Sequence, residues 1–290
     1  MARPEQLHRQ VFGAQFQNPV LLAAGTAGFG RELEGVIDLE ALGGLVTKAV
    51  SRDPRRGNPS PRVAEFSGGM LNAIGLANPG LDHVVADELP WLAAKLSRAR
   101  VIVNVVGFTE DEYVQVVQGL ETAGGITALE LNLSCPNTAR GGIEFGADSA
   151  SVARIVERCR AVTRRPLITK LSPALPDIAG MALVARDAGA DGVSLVNTLP
   201  GLLYDEEGTP RLGNGNGGVS GPSLLPIGVL ATKRLREMAA DFPIIGVGGV
   251  RSAADVQQYL RAGASLVAIG TAALADPRLP ERIIRELANG

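Results

Sequence analysis

The sequence predicts an α/β fold, a (β/α)8 (TIM) barrel with long loop insertions on its C-terminal face. Three observations carry this: eight short apolar runs, amphipathic helical segments between most of them, and a length of 290 residues. A barrel of this type runs to about 250 residues as one domain, which leaves room for insertions. The runs are residues 19–24 (PVLLAA), 44–49 (GLVTKA), 101–106 (VIVNVV), 128–133 (ALELNL), 167–171 (LITKL), 192–197 (GVSLVN), 243–247 (PIIGV) and 265–269 (SLVAI). They are near-continuous Val, Ile and Leu, the pattern of parallel strands covered on both faces. The whole chain, 1–290, is expected to form a single domain.

An internal repeat supports the barrel. ARDAGADGVSLVNT (185–198) and YLRAGASLVAIGT (259–271) share a helix end, an Ala-Gly-Ala turn and an apolar strand finishing in Thr, the αβ half of a βα unit used twice. The helix before the last strand is punctuated by Ser252 as N-cap, Asp255 three residues on and Gly263 as its stop. Two stretches depart from the repeat. Residues 50–90 are rich in Pro, Gly and Asn until helical character resumes near Leu81, and residues 199–222 follow the sixth strand. Such long connections are more often functional than slack. Both belong to the C-terminal face, where active sites of this architecture are built.

Composition excludes several classes. The chain is 46% hydrophobic and 20% charged, with a positive mean hydropathy, so it can bury a large core and is neither disordered nor fibrous. A formal net charge of −2 and a pI near 5.8, with no basic run longer than two residues, leave no electropositive footprint for nucleic acid. No apolar h-region and no membrane-length apolar stretch is present, so a cytoplasmic location is expected, without a signal peptide or membrane span. The 2 cysteines, Cys135 and Cys159, are too few for a disulfide framework. The 36 glycines, about 12% against an average of about 7%, demand tight turns or close backbone approaches.

Five polar residues interrupt the strands near their C-terminal ends: Lys48, Asn104, Asn132, Lys170 and Asn197. An amine or amide in an apolar strand is costly unless it meets a partner, so their convergence on one barrel mouth points to a polar ligand. Gly246-Val247-Gly248-Gly249 follows the seventh strand and Gly270-Thr271 the eighth. These two loops commonly form a phosphate site in such barrels, and Gly217, Gly218 and Gly221 lie close behind the sixth strand. A phosphate-bearing cofactor or substrate follows.

Cys159 sits in a helical segment with no polar constellation and reads as a packing thiol. Cys135, in a turn just beyond Asn132 on the face carrying both lysines, reads either as a small core filler or as a reagent. His8 and His83 lie outside every strand end, so neither a Cys-His hydrolase nor a zinc site has the partners it needs.

NLSCPN (132–137), TKLSP (169–173), VTK (46–48), GNPSPRV (57–63), GGMLNAIGLANPG (68–80), VNT (196–198), GGVSGP (217–222), IIGVGG (244–249) and the closing GT together resemble the class 1 dihydroorotate dehydrogenases, in order and along essentially the whole chain. NAIGLANPG and GGVSGP resemble the NAD-linked subgroup 1B more than the fumarate-linked 1A. The resemblance implies an FMN-containing catalytic subunit of pyrimidine (UMP) biosynthesis that oxidises (S)-dihydroorotate to orotate, with Cys135 as the base taking the C5 proton. It implies substrate contacts at Lys48, at Asn72, Ala73, Ile74, Gly75 and Leu76, and at Asn132, Asn197 and Thr198. It implies FMN contacts at Ala24, Lys48, Ala49, Asn104, Asn132, Lys170, Val196, Gly221, Gly248, Gly249, Gly270 and Thr271. Ala24 stands where relatives often carry Ser. The resemblance further implies a separate electron-transfer subunit carrying FAD and a [2Fe-2S] cluster, and a homodimer of this chain within a heterotetramer. No metal site is expected on this chain. The alternatives are a 1A-type enzyme using fumarate without a partner, and a non-redox phosphate-binding barrel.

Overall fold

A computed structural model of the chain describes residues 7–133, 136–137 and 143–289. Eight parallel strands close into a barrel: β1 (Val20–Leu22), β2 (Gly44–Val46), β3 (Arg100–Val105), β4 (Ala128–Asn132), β5 (Leu167–Leu171), β6 (Gly192–Leu195), β7 (Ile244–Val247) and β8 (Leu266–Ile269). Each pairs with the next in chain order, and Val267 of β8 lies opposite Val20 of β1, which closes the ring. The eight runs expected from sequence are all strands, several trimmed by a residue or more. β1 ends at Leu22, although the Ala23 N–H still donates to Ile269 O, because Gly25 turns the chain at φ 80°.

Side chains alternate across each strand, and the alternation sorts the barrel residues into two cores. Leu21, Val46, Ile102, Ala128, Ile168, Ile245, Leu266 and Ala268 point inward and form one buried cluster. Their neighbours Val20, Leu22, Leu45, Val101, Val103, Leu129, Leu131, Leu167 and Val267 join a second, larger cluster beneath the helices. That double coverage is why the strands read as unbroken apolar runs.

The helical layer consists of α1 (Leu89–Lys95), α2 (Glu110–Leu120), α3 (Ser149–Val162), α4 (Ile178–Asp187), α5 (Leu225–Met238), α6 (Ala253–Ala262) and α7 (Leu279–Asn289). Between β1 and β2 the described chain has only two 3-10 turns, Arg31–Leu33 and Leu39–Ala41. Short polar side chains start the helices. Thr109, Asp148, Asp177 and Ser252 each accept a hydrogen bond from the backbone N–H three residues on. At α6 the bond from Ser252 is joined by Asp255 reaching back to the Ser252 hydroxyl and the Arg251 N–H, and Gly263 closes the helix at φ 105°.

The N-terminal end of the barrel is plugged by a hairpin, Arg9–Val11 paired with Ala14–Phe16. Its two-residue turn uses Phe12 (φ 54°) and Gly13 (φ 69°), the left-handed pair that matches hairpin twist. Val11 and Phe16 complete the inner cluster. The Phe12 ring occupies the space left by Gly192, where a built Cβ would lie 2.6 Å from it.

The two long insertions are not plain loops, as the Pro- and Gly-rich sequence suggested. Their strands Val63–Phe66, Gly69–Asn72, Leu199–Gly201 and Gly217–Ser220 form one four-stranded antiparallel sheet. It has its own small core of Ala64, Leu71 and Leu212. Asn78, 7% exposed, braces the first insertion: its Oδ1 accepts the Gly80 N–H at 2.9 Å, and its Nδ2 donates to Ser51 Oγ and Leu76 O, both at 2.8 Å. Among the described residues, no helix is long and apolar enough to cross a membrane.

Two outcomes follow. Phe16→Ala, which empties the middle of the plug, should cost about 3–5 kcal/mol in urea denaturation, against about 1 kcal/mol for Ser252→Ala at a solvent-facing cap. Cys159 is fully buried, as a packing thiol should be, and burial pushes its pKa up to about 12. Native protein treated with a thiol reagent near pH 8 should therefore leave Cys159 unmodified in peptide mass spectra, because a buried thiol with a raised pKa presents almost no thiolate there.

Candidate active site at the barrel mouth

The inward parity that fills the lower barrel with Val46, Ile102, Ala128 and Ile168 carries polar groups toward the C-terminal end. Two residues beyond each lie Lys48, Asn104, Glu130 and Lys170, and two beyond Glu130 lies Asn132. On β6 the same step leads from Gly192 to Ser194 and Val196. The barrel is therefore dry below and polar above.

The upper layer is a connected network. Glu130 is 2% exposed and accepts hydrogen bonds from Asn104 Nδ2 at 2.6 Å and from the Ser194 hydroxyl, with Lys170 Nζ 3.9 Å from its Oε1. Asn104 is fully buried, and its Oδ1 has no hydrogen-bond partner among the described residues. Thr47 ties β2 to β3: its hydroxyl donates to Lys48 O at 2.9 Å and accepts the Asn104 N–H at 3.2 Å. Half-buried Lys48 has no carboxylate partner among the described residues. Asn197 donates from Nδ2 to Asn132 Oδ1 at 3.3 Å and accepts the Thr198 N–H at 2.8 Å.

The remaining positions expected from sequence line the same end. Ala24 and Ala49 follow β1 and β2, and Val196 follows β6. Asn72 ends a strand of the capping sheet and donates to Gly218 O at 3.1 Å; Ala73, Ile74, Gly75 and Leu76 continue from it. Leu76 takes a left-handed φ of 58°, an uncommon conformation for a bulky residue that the surrounding chain must hold. Gly218 packs so closely on Thr198 that no side chain would fit there.

The glycine loops after β7 and β8 meet the end of the capping sheet. Gly248 and Gly249 have φ values of 115° and 76°, and a Cβ on Gly249 would lie 2.5 Å from Leu225 N. By contrast a Cβ on Gly270 would meet Ala23 Cβ at 3.7 Å and Thr26 Oγ1 at 3.8 Å, ordinary contact distances, so a small group fits there without a clash. Thr271 donates from its hydroxyl to Ser220 Oγ at 2.8 Å, next to Gly221. Beneath this cradle Tyr259 is fully buried, its hydroxyl 2.8 Å from both Val247 O and Gly248 O. Gly228 and Gly246 have no side chain because the Tyr259 ring and hydroxyl occupy that space. Burial and the nearby Asp255 push the Tyr259 phenol pKa up, which keeps it a donor.

Three residues of this layer and its rim, Glu130, Ser194 and Ser220, are not among those the sequence pointed to. Glu130 lies in the quoted strand ALELNL, and an acid inside an apolar strand was the signal for it. Ser194 and Ser220 gave no comparable signal, because a serine in a strand is common. Cys135 lies outside the described residues. The structure places Asn132 and Leu133 before it, and beyond it a short ladder in which Pro136–Asn137 pairs with Ile143–Glu144.

Known proteins are similar to this chain. The family model described as dihydroorotate dehydrogenase matches residues 6–290. The "Dihydroorotate dehydrogenase B (NAD(+)), catalytic subunit" of Geobacillus kaustophilus is 46% identical over 276 residues, covering 95% of this chain and 87% of that protein. The protein of the same name from Cutibacterium acnes is 45% identical, covering 95% and 90%. The crystal structure of DHODH from Eimeria tenella, in complex with ferulenol, superposes with a TM-score of 0.81 at 24% identity over 98% of this chain and 84% of that one; at that identity the likeness concerns the fold. With a family match running from residue 6 to residue 290 and relatives near 46% identity across almost the full length, the chain belongs to the dihydroorotate dehydrogenase family.

Proposed function

We propose that this chain is the FMN-dependent catalytic subunit of an NAD-linked dihydroorotate dehydrogenase, a single domain spanning residues 1–290 that oxidises (S)-dihydroorotate to orotate in pyrimidine biosynthesis. The observation that carries the reading is the convergence, at one barrel mouth, of Lys48, Asn104, Asn132, Lys170 and Asn197 with the glycine loops after β7 and β8.

The residues present fit FMN. Asn104 Oδ1 is a buried acceptor that needs a donor, and the space over Gly270 accepts a group that a Cβ would partly fill. Gly248, Gly249, Gly270 and Thr271 would hold the phosphate, and Gly221 would contact FMN beside them. Ala24, Lys48, Ala49, Asn104, Asn132, Lys170 and Val196 would line the ring system. Bound FMN supplies a two-electron acceptor for hydride from the substrate.

The chain's own residues supply the rest. The Lys48 ammonium neutralises the substrate carboxylate. Asn72, Asn132, Asn197 and Thr198, with the segment Ala73, Ile74, Gly75 and Leu76, orient the planar ring by hydrogen bonds and exclude water. Cys135 takes the C5 proton, a role resting on sequence resemblance and on its position just beyond Asn132. Lys170 places a cation beside the flavin, which favours its reduced form.

Electrons would leave through a partner. The curated relatives are named as catalytic subunits, and a [2Fe-2S] cluster takes four cysteine thiolates or an equivalent set, whereas this chain has 2 cysteines. FAD and the cluster are therefore assigned to a separate electron-transfer subunit, in a heterotetramer built on a homodimer of this chain in the cytoplasm.

Three outcomes test this. Cys135→Ala should keep the flavin colour and slow anaerobic flavin reduction by dihydroorotate at least ~10²-fold in stopped flow; an unchanged rate removes Cys135 as the base. The base is the thiolate and not the thiol, so the wild-type reduction rate should rise toward alkaline pH; a flat profile between about pH 6 and 9 contradicts it. Purified chain should reduce neither NAD+ nor fumarate at speed, and NAD+ reduction should appear on adding the partner subunit. Rapid fumarate turnover by the chain alone would favour a 1A-type enzyme.

A further inference from the structure

Glu130 has no place in the binding set proposed above, yet it is the acid at the centre of the barrel's polar layer. It joins three strands besides its own: Asn104 of β3 donates to Oε1 at 2.6 Å, Ser194 of β6 donates to Oε2, and Lys170 of β5 lies 3.9 Å from Oε1. At 2% exposure a carboxylate is retained only where partners compensate it, and removing one side of such a group strands the other.

Two consequences follow. An asparagine amide can present either its oxygen or its nitrogen. By engaging Nδ2, Glu130 decides the matter for Asn104 and leaves Oδ1, buried and without a partner, as an acceptor. That acceptor selects a ligand with an N–H at this point, which the flavin's pyrimidine ring has. The second consequence is electrostatic. Lys170 is 7% exposed, and Glu130 is the carboxylate that sets the charge around it, so the cation offered to a ligand is a tempered one.

From this geometry we infer that Glu130 is a positioning residue of the flavin site, fixing Asn104 as an acceptor and balancing the Lys170 charge; the inference rests on the FMN reading given above. It ties both FMN affinity and flavin potential to a side chain at the centre of the barrel's polar layer.

The test uses full-length wild type, E130Q, E130D and S194A, stripped of flavin and titrated with FMN by fluorescence quenching, then poised anaerobically against reference dyes for the midpoint potential. E130Q removes the charge at constant shape. Its bound FMN should have a more positive potential, and adding Lys170→Met should cancel that shift. E130D keeps the charge with a shorter reach, so its potential should match wild type while its FMN dissociation constant rises about tenfold through the loosened Asn104. S194A, which removes a neutral donor, should leave the potential unchanged. The inference is overturned if E130Q binds FMN at the wild-type potential, if E130D binds FMN as tightly as wild type, or if S194A shifts the potential as far as E130Q. Should E130Q fail to fold, the E130D affinity decides alone. Wild type that takes up no FMN would instead defeat the functional reading, a result distinguishable from all of these.

Discussion

A closed parallel barrel must fill its own interior, and that constraint organises the rest of this molecule. Every second residue of each strand points inward, so each inward position is either packed with hydrocarbon or supplied with polar partners. Here the lower positions are apolar and sealed by Val11 and Phe16 of the hairpin, while the upper positions carry Glu130, Asn104, Lys170 and Ser194. The apolar lower half fixes the strand register. The polar upper half inherits that register, so the spacing of its donors and acceptors is set by the barrel and not by mobile loops. A site held this way is preorganised, since its groups need little rearrangement when a ligand arrives.

The mouth is then built over this floor by close backbone approaches. Tyr259 fills the spaces left by Gly228 and Gly246 and supports the β7 loop through Val247 O and Gly248 O. That support lies directly against the backbone of Gly248, one of the glycines proposed to hold a phosphate. The capping sheet performs a similar service on the other side. Ser220 receives the Thr271 hydroxyl, and Asn72 is anchored to Gly218 O, so the insertions after β2 and β6 are joined to each other and to the end of β8.

Much of this was legible in the sequence, for physical reasons. Strands covered on both faces betray themselves as apolar runs, so all eight were found, and the polar breaks at Lys48, Asn104, Asn132 and Lys170 marked the inward parity near the mouth. Ser252 and Gly263 announced the ends of α6 through local backbone chemistry. The capping sheet was hidden because its pairing is nonlocal: Gly69–Asn72 pairs with Gly217–Ser220, almost 150 residues away, and a GGVS strand has little intrinsic β preference. Glu130 was overlooked because its meaning depends on partners from three other strands. The assignment of Cys135 as base rests on the motif around it, whose central residues lie outside the described structure.

The central claim is that the polar floor and glycine cradle form a flavin site at which dihydroorotate is oxidised. Anaerobic titration of FMN-loaded protein with dihydroorotate, followed by flavin absorbance, tests it most directly. FMN-loaded protein should be yellow and should bleach as substrate is added, with orotate formed in step with the flavin reduced. Protein that stays colourless after incubation with FMN, or holds FMN and keeps its full absorbance in excess dihydroorotate, would contradict it.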